Sequence, residues 1–389
     1  MQRKKSTLFI ITLSLLSLVS GCGKTQPQSS GTIPPQTQSL FEMDTVDNIF
    51  ADTERLQSLE FDNLDMSDVR VCDKPERVAK LHWQVVDDFN EKVDALFEDF
   101  IGDRYDEACF VPDDGTYDVE APSYKDTDKG IYLYLGRNGW FWFADFSYIP
   151  DFSGDLHDYI MKYTDAENET DLCFFMYEKY EDAAFQTIDG IVSVSEAAAA
   201  AELYAAERLH QYTPGFVWRA KYVIVTQYDD ENHCFNIMME KNFDGMPLSS
   251  TWIKGGPEGV KNNEDMTRGE IDVFSLNRIV YFYNHQSLKE ISDSEEYERI
   301  ITIEGALDII SDELSAYKKY DVRYVALESR IKSDEPREEV YIRGEPWKHG
   351  EKATSIPCWV VYFETRYEME VYAVVNAISG EIDFFDNTR

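Results

Sequence analysis

The chain has 389 residues, a formal net charge of −37 and an aromatic content of 14%. Charge of that sign and size excludes a nucleic-acid binder, because a phosphate backbone repels it. The aromatic content excludes a solvating acidic tail, so the chain is expected to fold around real cores. The acidity itself reads as surface solubility, as attraction to a basic partner or as loose binding of divalent cations.

The chain opens on a leader. Arg3, Lys4 and Lys5 precede the apolar run Leu8–Val19, which has the length of a signal sequence and is too short to cross ~30 Å of hydrocarbon. Val19-Ser20-Gly21-Cys22 follows and resembles the lipobox of bacterial lipoprotein signal peptides. The resemblance implies cleavage before Cys22, lipid on its thiol, and a mature chain held on the outer face of the cytoplasmic membrane. Two or more acyl chains anchor firmly where one does not. The alternative is an ordinary cleaved secretory signal with an incidental cysteine. Gly23-Lys24-Thr25 mimics the end of a phosphate-binding loop, but the motif's first glycine would fall at Leu18, inside the leader, and the match fails.

The expected organisation is a leader over residues 1–21, a flexible stalk over 22–45, an N-terminal α+β domain over 46–190, and two helix–sheet units over 191–299 and 300–389. The stalk reading rests on the Gln-, Ser-, Thr- and Pro-rich run from Gly23 to Gln38, which has nothing apolar to bury. Residues 39–70 give no readable pattern. A helix is then expected from an Asp73 cap to Phe100, on the three- and four-residue spacing of Val78, Leu81, Val85, Phe89, Val93, Leu96 and Phe100. His82 and Trp83 are expected to pack there. Residues 103–130 read as loop; Asp113 to Asp118 echo a calcium loop but lack its alternating order, so an acidic turn is the expectation.

Tyr132–Leu135 and Trp140–Phe143 flank Gly136-Arg137-Asn138-Gly139. Asn-Gly tolerates the positive φ angles of a tight turn, so this is a hairpin with aromatics on both faces. It is either a half-buried strand pair or a platform on which a sugar or peptide stacks. In the second case Trp140, Trp142 and Tyr134 are the candidate ligand-binding residues.

A repeated order begins near residue 190. Ser193 and Glu196 stand at capping-box spacing ahead of an alanine-rich helix to Leu209. Strands are expected over 216–228 and 233–241, then Asp244-Gly245 as a turn, and a further strand pair from Gly269 to Tyr283. The order returns with a helix from Ile301 to about Tyr320, strands over 322–331, 358–363 and 369–375, and a closing turn Asn376-Ala377-Ile378-Ser379-Gly380-Glu381-Ile382. These residues resemble the PepSY module of secreted and envelope proteins, the closing turn most of all, with Asn376 where Asp is usual. The first copy departs further, since Asp244-Gly245 replaces the whole closing turn. The layout is also similar to uncharacterised lipoproteins of Gram-positive gut bacteria and to envelope proteins that restrain sensor kinases. The resemblance implies a module that binds or inhibits an envelope or membrane protein partner without catalysis. The expected fold class is thus α+β, with helices packed on antiparallel sheets.

No nucleophile elbow and no H-E-x-x-H motif occurs, and His233-Cys234 point to opposite faces of a strand. A glycosidase needs only two suitably spaced carboxylates, which an acidic sequence always leaves open. Cys72, Cys109, Cys173, Cys234 and Cys358 are odd in number and widely spaced, and the six histidines are scattered. The cysteines are therefore expected to be mostly free, and no metal or cofactor is expected. Three functions remain: a non-catalytic regulatory lipoprotein, a ligand-capturing surface protein using the aromatic hairpin, and an acidic hydrolase.

Overall fold

A computed structural model describes residues 41–49, 53–85, 89–112, 123–135, 141–148, 172–176, 182–209, 215–227, 231–248, 268–276, 278–284, 289–314, 318–333, 352–363 and 371–386. The chain divides into two units, Met1–Leu40 and Phe41–Arg389, and all described residues belong to the second. In chain order the first elements are β1 (Met43–Thr45), α1 (Val46–Ile49), α2 (Thr53–Gln57), β2 (Leu64–Asp65), β3 (Arg70–Val71), β4 (Ala79–Val85) and α3 (Phe89–Phe100). Next come β5 (Phe110–Val111), β6 (Ser123–Asp126), β7 (Ile131–Leu135), β8 (Phe141–Asp145), β9 (Leu172–Phe175), β10 (Ala184–Thr187) and β11 (Gly190–Ser193). Then follow α4 (Val194–Arg208), β12 (Val217–Gln227), β13 (His233–Phe243), β14 (Met246–Pro247), β15 (Arg268–Ser275) and β16 (Arg278–Asn284). The chain closes with β17 (Lys289–Glu296), β18 (Arg299–Ile301), α5 (Ile303–Glu313), β19 (Tyr320–Ser333), β20 (Lys352–Phe363), β21 (Val371–Asn376) and β22 (Ile382–Asp386).

The fold is α+β and mostly β. Among the described residues, ten strands form one sheet in the order β5-β6-β7-β8-β16-β15-β13-β12-β9, with β14 paired to β13. Eight form a second sheet in the order β17-β4-β20-β19-β2, with β21 on β20, β22 on β21 and β3 on β19. The two sheets share a run of connectivity. In the first, β12, β13, β15 and β16 are successive antiparallel neighbours behind β11 and α4. In the second, β19, β20, β21 and β22 repeat that order behind β18 and α5.

The local causes are legible at both helix starts. Ser193 accepts from the Glu196 amide while the Glu196 carboxylate accepts from the Ser193 amide, closing the expected capping box. Thr302 caps α5 in the same place, its hydroxyl accepting from the Gly305 amide at 3.1 Å. Asp244 and Gly245 take φ of 49° and 81°, and this pair of left-handed residues turns β13 into β14. Gly380 takes φ of 74° in the closing turn, where the Asn376 carboxamide oxygen accepts from the Ile378 and Ser379 amides. That turn joins β21 to β22 and so closes the sheet.

Each sheet has its own core. In the first, α4 and α3 lie against Leu133, Phe143, Val223, Phe235, Ile237 and Ile271. In the second, α5 lies against Val325, Trp359, Val361 and Val375, joined by Ile49, Leu56, Leu64 and Val69 from the N-terminal segment. The opposite face of the second sheet is buried too, through Ala326, Cys358, Val360, Tyr362 and Val374.

Four expectations need correction, and the first is the loop expected over 103–130, which carries β5 and β6. The helix expected over 73–100 is a strand in its first half: β4 occupies 79–85 and only Phe89–Phe100 is helical. Ala79, Leu81 and Trp83 are buried while Lys80, His82 and Gln84 are half-buried. This alternation of period two coincides at Leu81 and Val85 with the helical spacing. The strand wins because β4 finds partners on both sides, β17 and β20. The stalk expected to residue 45 ends earlier, since Met43–Thr45 pairs with β18 and the Phe41 ring lies against Gly380. The second helix ends at Glu313, not near Tyr320, which already begins β19.

Candidate functional site

Strands β7 and β8 pair from Ile131↔Asp145 to Leu135↔Phe141, as the hairpin reading requires. Ile131, Leu133, Leu135 and Phe143 enter the core. The alternate positions carry the other face, where Tyr132 is buried and Tyr134 and Trp142 are half-buried. Tyr134 and Trp142 stand directly opposite each other in register, which brings their rings together. The centroids are 4.2 Å apart and the planes 21° from parallel. The Lys125 ammonium, on neighbouring β6, lies 4.5 Å from the centre of the Tyr134 ring. Tyr132 extends the row, 6.4 Å from Trp142 and 5.8 Å from Phe146. A stacked aromatic pair beside a cation can receive a flat ring face and an acidic substituent together.

The other expected site residues fall elsewhere. Cys22, Trp140, the hairpin turn 136–139 and the acidic run 113–118 lie outside the described residues. Trp83 is buried and stacks on Phe216 at 5.5 Å, while His82 meets Glu295 at 3.3 Å. Among the described residues, no disulfide joins Cys72, Cys109, Cys173, Cys234 and Cys358 to one another. Cys234 is buried and His233 faces the other way, towards the Gln186 carbonyl.

A second constellation escaped the sequence reading. Lys221 sits where the β12–β13 register shifts, between Ala220 and Tyr222. Its ammonium lies 3.3 Å from Glu240 on β13 and 3.8 Å from Glu328 on β19. It donates to the Tyr362 hydroxyl on β20 at 3.2 Å, and that hydroxyl donates to Glu328. Tyr324 stacks on Tyr362 at 6.0 Å. Strands of both sheets thus meet at one buried polar knot. Burial, with the nearby Glu328 charge, pushes the Glu240 carboxyl up despite Lys221 and the Tyr362 hydroxyl well above its ordinary value. Burial also pushes the neighbouring Cys72 thiol up to about 12. No signal in the sequence singled these residues out, since β12, β13 and β19 each carry further charged residues.

Among the described residues, no group of three or more His, Cys, Asp or Glu could hold a metal ion. No described helix is long and apolar enough to cross a membrane. No family model and no curated protein matches the chain. One solved structure it is similar to is that of an uncharacterized protein from Eubacterium rectale. The two are 15% identical, with 82% of this chain and 91% of that one covered at a TM-score of 0.49. A likeness of that degree carries no functional inference.

Proposed function

We propose that the chain is a non-catalytic interaction protein of the cell envelope, anchored through lipid on Cys22, whose ligand surface is the outer face of the β7–β8 hairpin. The observation that carries this reading is the stacked Tyr134–Trp142 pair with Lys125 beside it. Two half-buried rings and a cation suit a glycan carrying a carboxylate, because the apolar face of a sugar stacks on the rings and the acid meets the ammonium. The anchored address would put such a glycan, part of the envelope, within reach.

The second reading is a PepSY-like regulator that docks an envelope or membrane protein. The recurrence of one helix-and-strand order in both sheets favours it. Both faces of the second sheet are already packed, which leaves strand edges and loops for such a partner.

The test is retention of the full chain, solubilised with its lipid, on immobilised acidic cell-wall glycan. Tyr134→Ala and Trp142→Ala should each reduce affinity about tenfold or more, as loss of one stacked ring does when it costs about 1.5 kcal/mol. Equal retention by wild type and both variants would remove the glycan reading. A single protein crosslinked to the chain in cells, at equal yield in both variants, would favour the regulator.

A further inference from the structure

We infer that the second unit exchanges its N-terminal segment between copies: the edge of β18 takes residues 41–57 from a second copy of the chain as it takes its own, joining the two into a dimer. Among the described residues, β1 and β18 form a sheet of two strands, in the register Met43↔Ile301, Asp44↔Ile300 and Thr45↔Arg299. The ladder runs on at both ends. The Thr302 amide donates to the Glu42 carbonyl at 3.1 Å, and the Val46 amide donates to that of Glu298 at 3.3 Å. Beyond the ladder, the Phe41 ring lies against Gly380 in the closing turn, while Met43, Val46, Ile49 and Leu56 pack on the core under α5.

The first unit shows what this arrangement lacks. There β11 stands in the same place, directly ahead of a capped helix, and its partner β10 is the adjoining arm of a hairpin, with Thr187 opposite Gly190. So short a turn keeps that pair within one chain. The strand ahead of β18 is β17, which is spent on β4 in the main sheet, so β18 takes its partner from the far end of the chain. The covalent link behind that partner is loose enough to cross over. Residues 58–62 lead on to Asn63, with Ser58, Glu60 and Asp62 exposed. Asn63 is the first fixed point: its Nδ2 donates to the Ser311 carbonyl at 2.7 Å, and its carbonyl accepts from the Tyr320 amide at 2.8 Å.

Charge makes a second copy the fitting occupant. The segment carries Glu42, Asp44 and Asp47, and its seat answers with Arg299, which donates to the Met43 carbonyl, and Lys74, which pairs with Asp47. Arg55 of the segment meets Glu304 of α5 at 2.7 Å. Two chains of net charge −37 repel over most of their surfaces, so an acidic strand on a basic seat gives them one complementary place to meet. An exchanged segment makes the contacts it makes at home, and a two-fold axis fills both edges at once, which is why exchange is a low-cost route to a dimer.

The experiment is disulfide trapping between differently tagged copies of the full chain. The Val46–Glu298 bond makes the adjacent Thr45↔Arg299 a non-hydrogen-bonded pair, with Cα atoms ~4.5 Å apart, within reach of a disulfide. Both residues are exposed, so cysteines there leave the core untouched. Thr45→Cys and Arg299→Cys copies are mixed, incubated and oxidised with diamide. A mixed disulfide dimer should form and should be lost when either variant is replaced by wild type, which keeps the exposed Cys173. The double variant, dilute and alone, should close within one chain. If it does so while the mixture yields no dimer above the wild-type controls, the inference is overturned. A double variant that closes neither within nor between chains overturns it as well. Native mass spectrometry of unmodified chain mixed with isotope-labelled copies needs no variant: mixed dimers are expected, and monomer alone at every concentration would equally sink the exchange.

Discussion

The two helix-and-meander units solve one packing problem with opposite side chains. Helix α4 meets its sheet through Ala197, Ala198, Ala201 and Ala205, whereas α5 uses Ile303, Ala306, Leu307 and Ile310. Small residues let a helix axis approach, and the sheet then supplies the bulk, here Trp218, Phe235 and Met239. Large residues hold the axis off and fill the space themselves. The same strand order therefore tolerates either division of volume, but the two units should fail differently when changed.

The largest expected effect breaks the second unit. Leu307→Ala leaves a cavity under α5 and should cost about 2–5 kcal/mol in the urea denaturation of the full chain. The matching change in the first unit is enlargement, and Ala201→Leu should cost about 1–3 kcal/mol by overpacking. Tolerance of Ala201→Leu would mean that α4 does not lie as close as its alanines imply.

The turns sharpen the contrast. A Cβ on Gly380 would fall 2.3 Å from the Phe41 ring, at φ of 74°. Gly380→Ala should therefore cost the ~1–3 kcal/mol of left-handed strain and a further overpacking penalty. Gly215, ahead of β12, has φ of 85° and open space around it, so Gly215→Ala should show the strain alone. Adding Phe41→Ala should rescue part of the Gly380→Ala loss and none of the Gly215→Ala loss, which a double-mutant cycle measures.

The caps differ less. Ser193→Ala and Thr302→Ala should each cost about 1 kcal/mol in thermal or urea unfolding. The loss should be larger at Thr302, which is 7% exposed, because water reaches the amide freed at Ser193 more easily. The smallest effect is one of rate. Cys173 is exposed, whereas the Cys72 thiol is pushed up to about 12 by burial. At neutral pH a thiol reagent should modify Cys173 on the native chain faster than Cys72; equal rates would contradict the upward push on the Cys72 thiol.

The sequence was most informative where one residue type solves a local problem. Ser193 with Glu196 set the start of α4, and Asp244-Gly245 set the end of β13. Apolar and aromatic runs bounded by turn residues marked β7, β8, β12 and β13. Reading failed at β4, because Leu81 and Val85 satisfy both the helical and the extended spacing. It was silent over 39–70, where Ile49, Leu56 and Val69 make sense only as cover for a core built some 250 residues later in the chain. The two strands of the candidate site's hairpin were legible, but their register was not. The stack between Tyr134 and Trp142 was not, since it depends on which side chains stand opposite across the pair.

By itself the sequence determined the acidic folded character, the capping box of α4, the glycine turns and the order of helix and meander in both units. These are local matters, fixed by neighbours within a few residues and by the backbone angles each residue tolerates. Only the tertiary structure decided that β4 is a strand between β17 and β20, and that residues 43–45 belong to the fold. It alone gathered Lys221, Glu240, Glu328 and Tyr362 into one buried knot. Such outcomes depend on pairings between distant segments, where burial and desolvation outweigh the ~1 kcal/mol preferences that a local pattern can express.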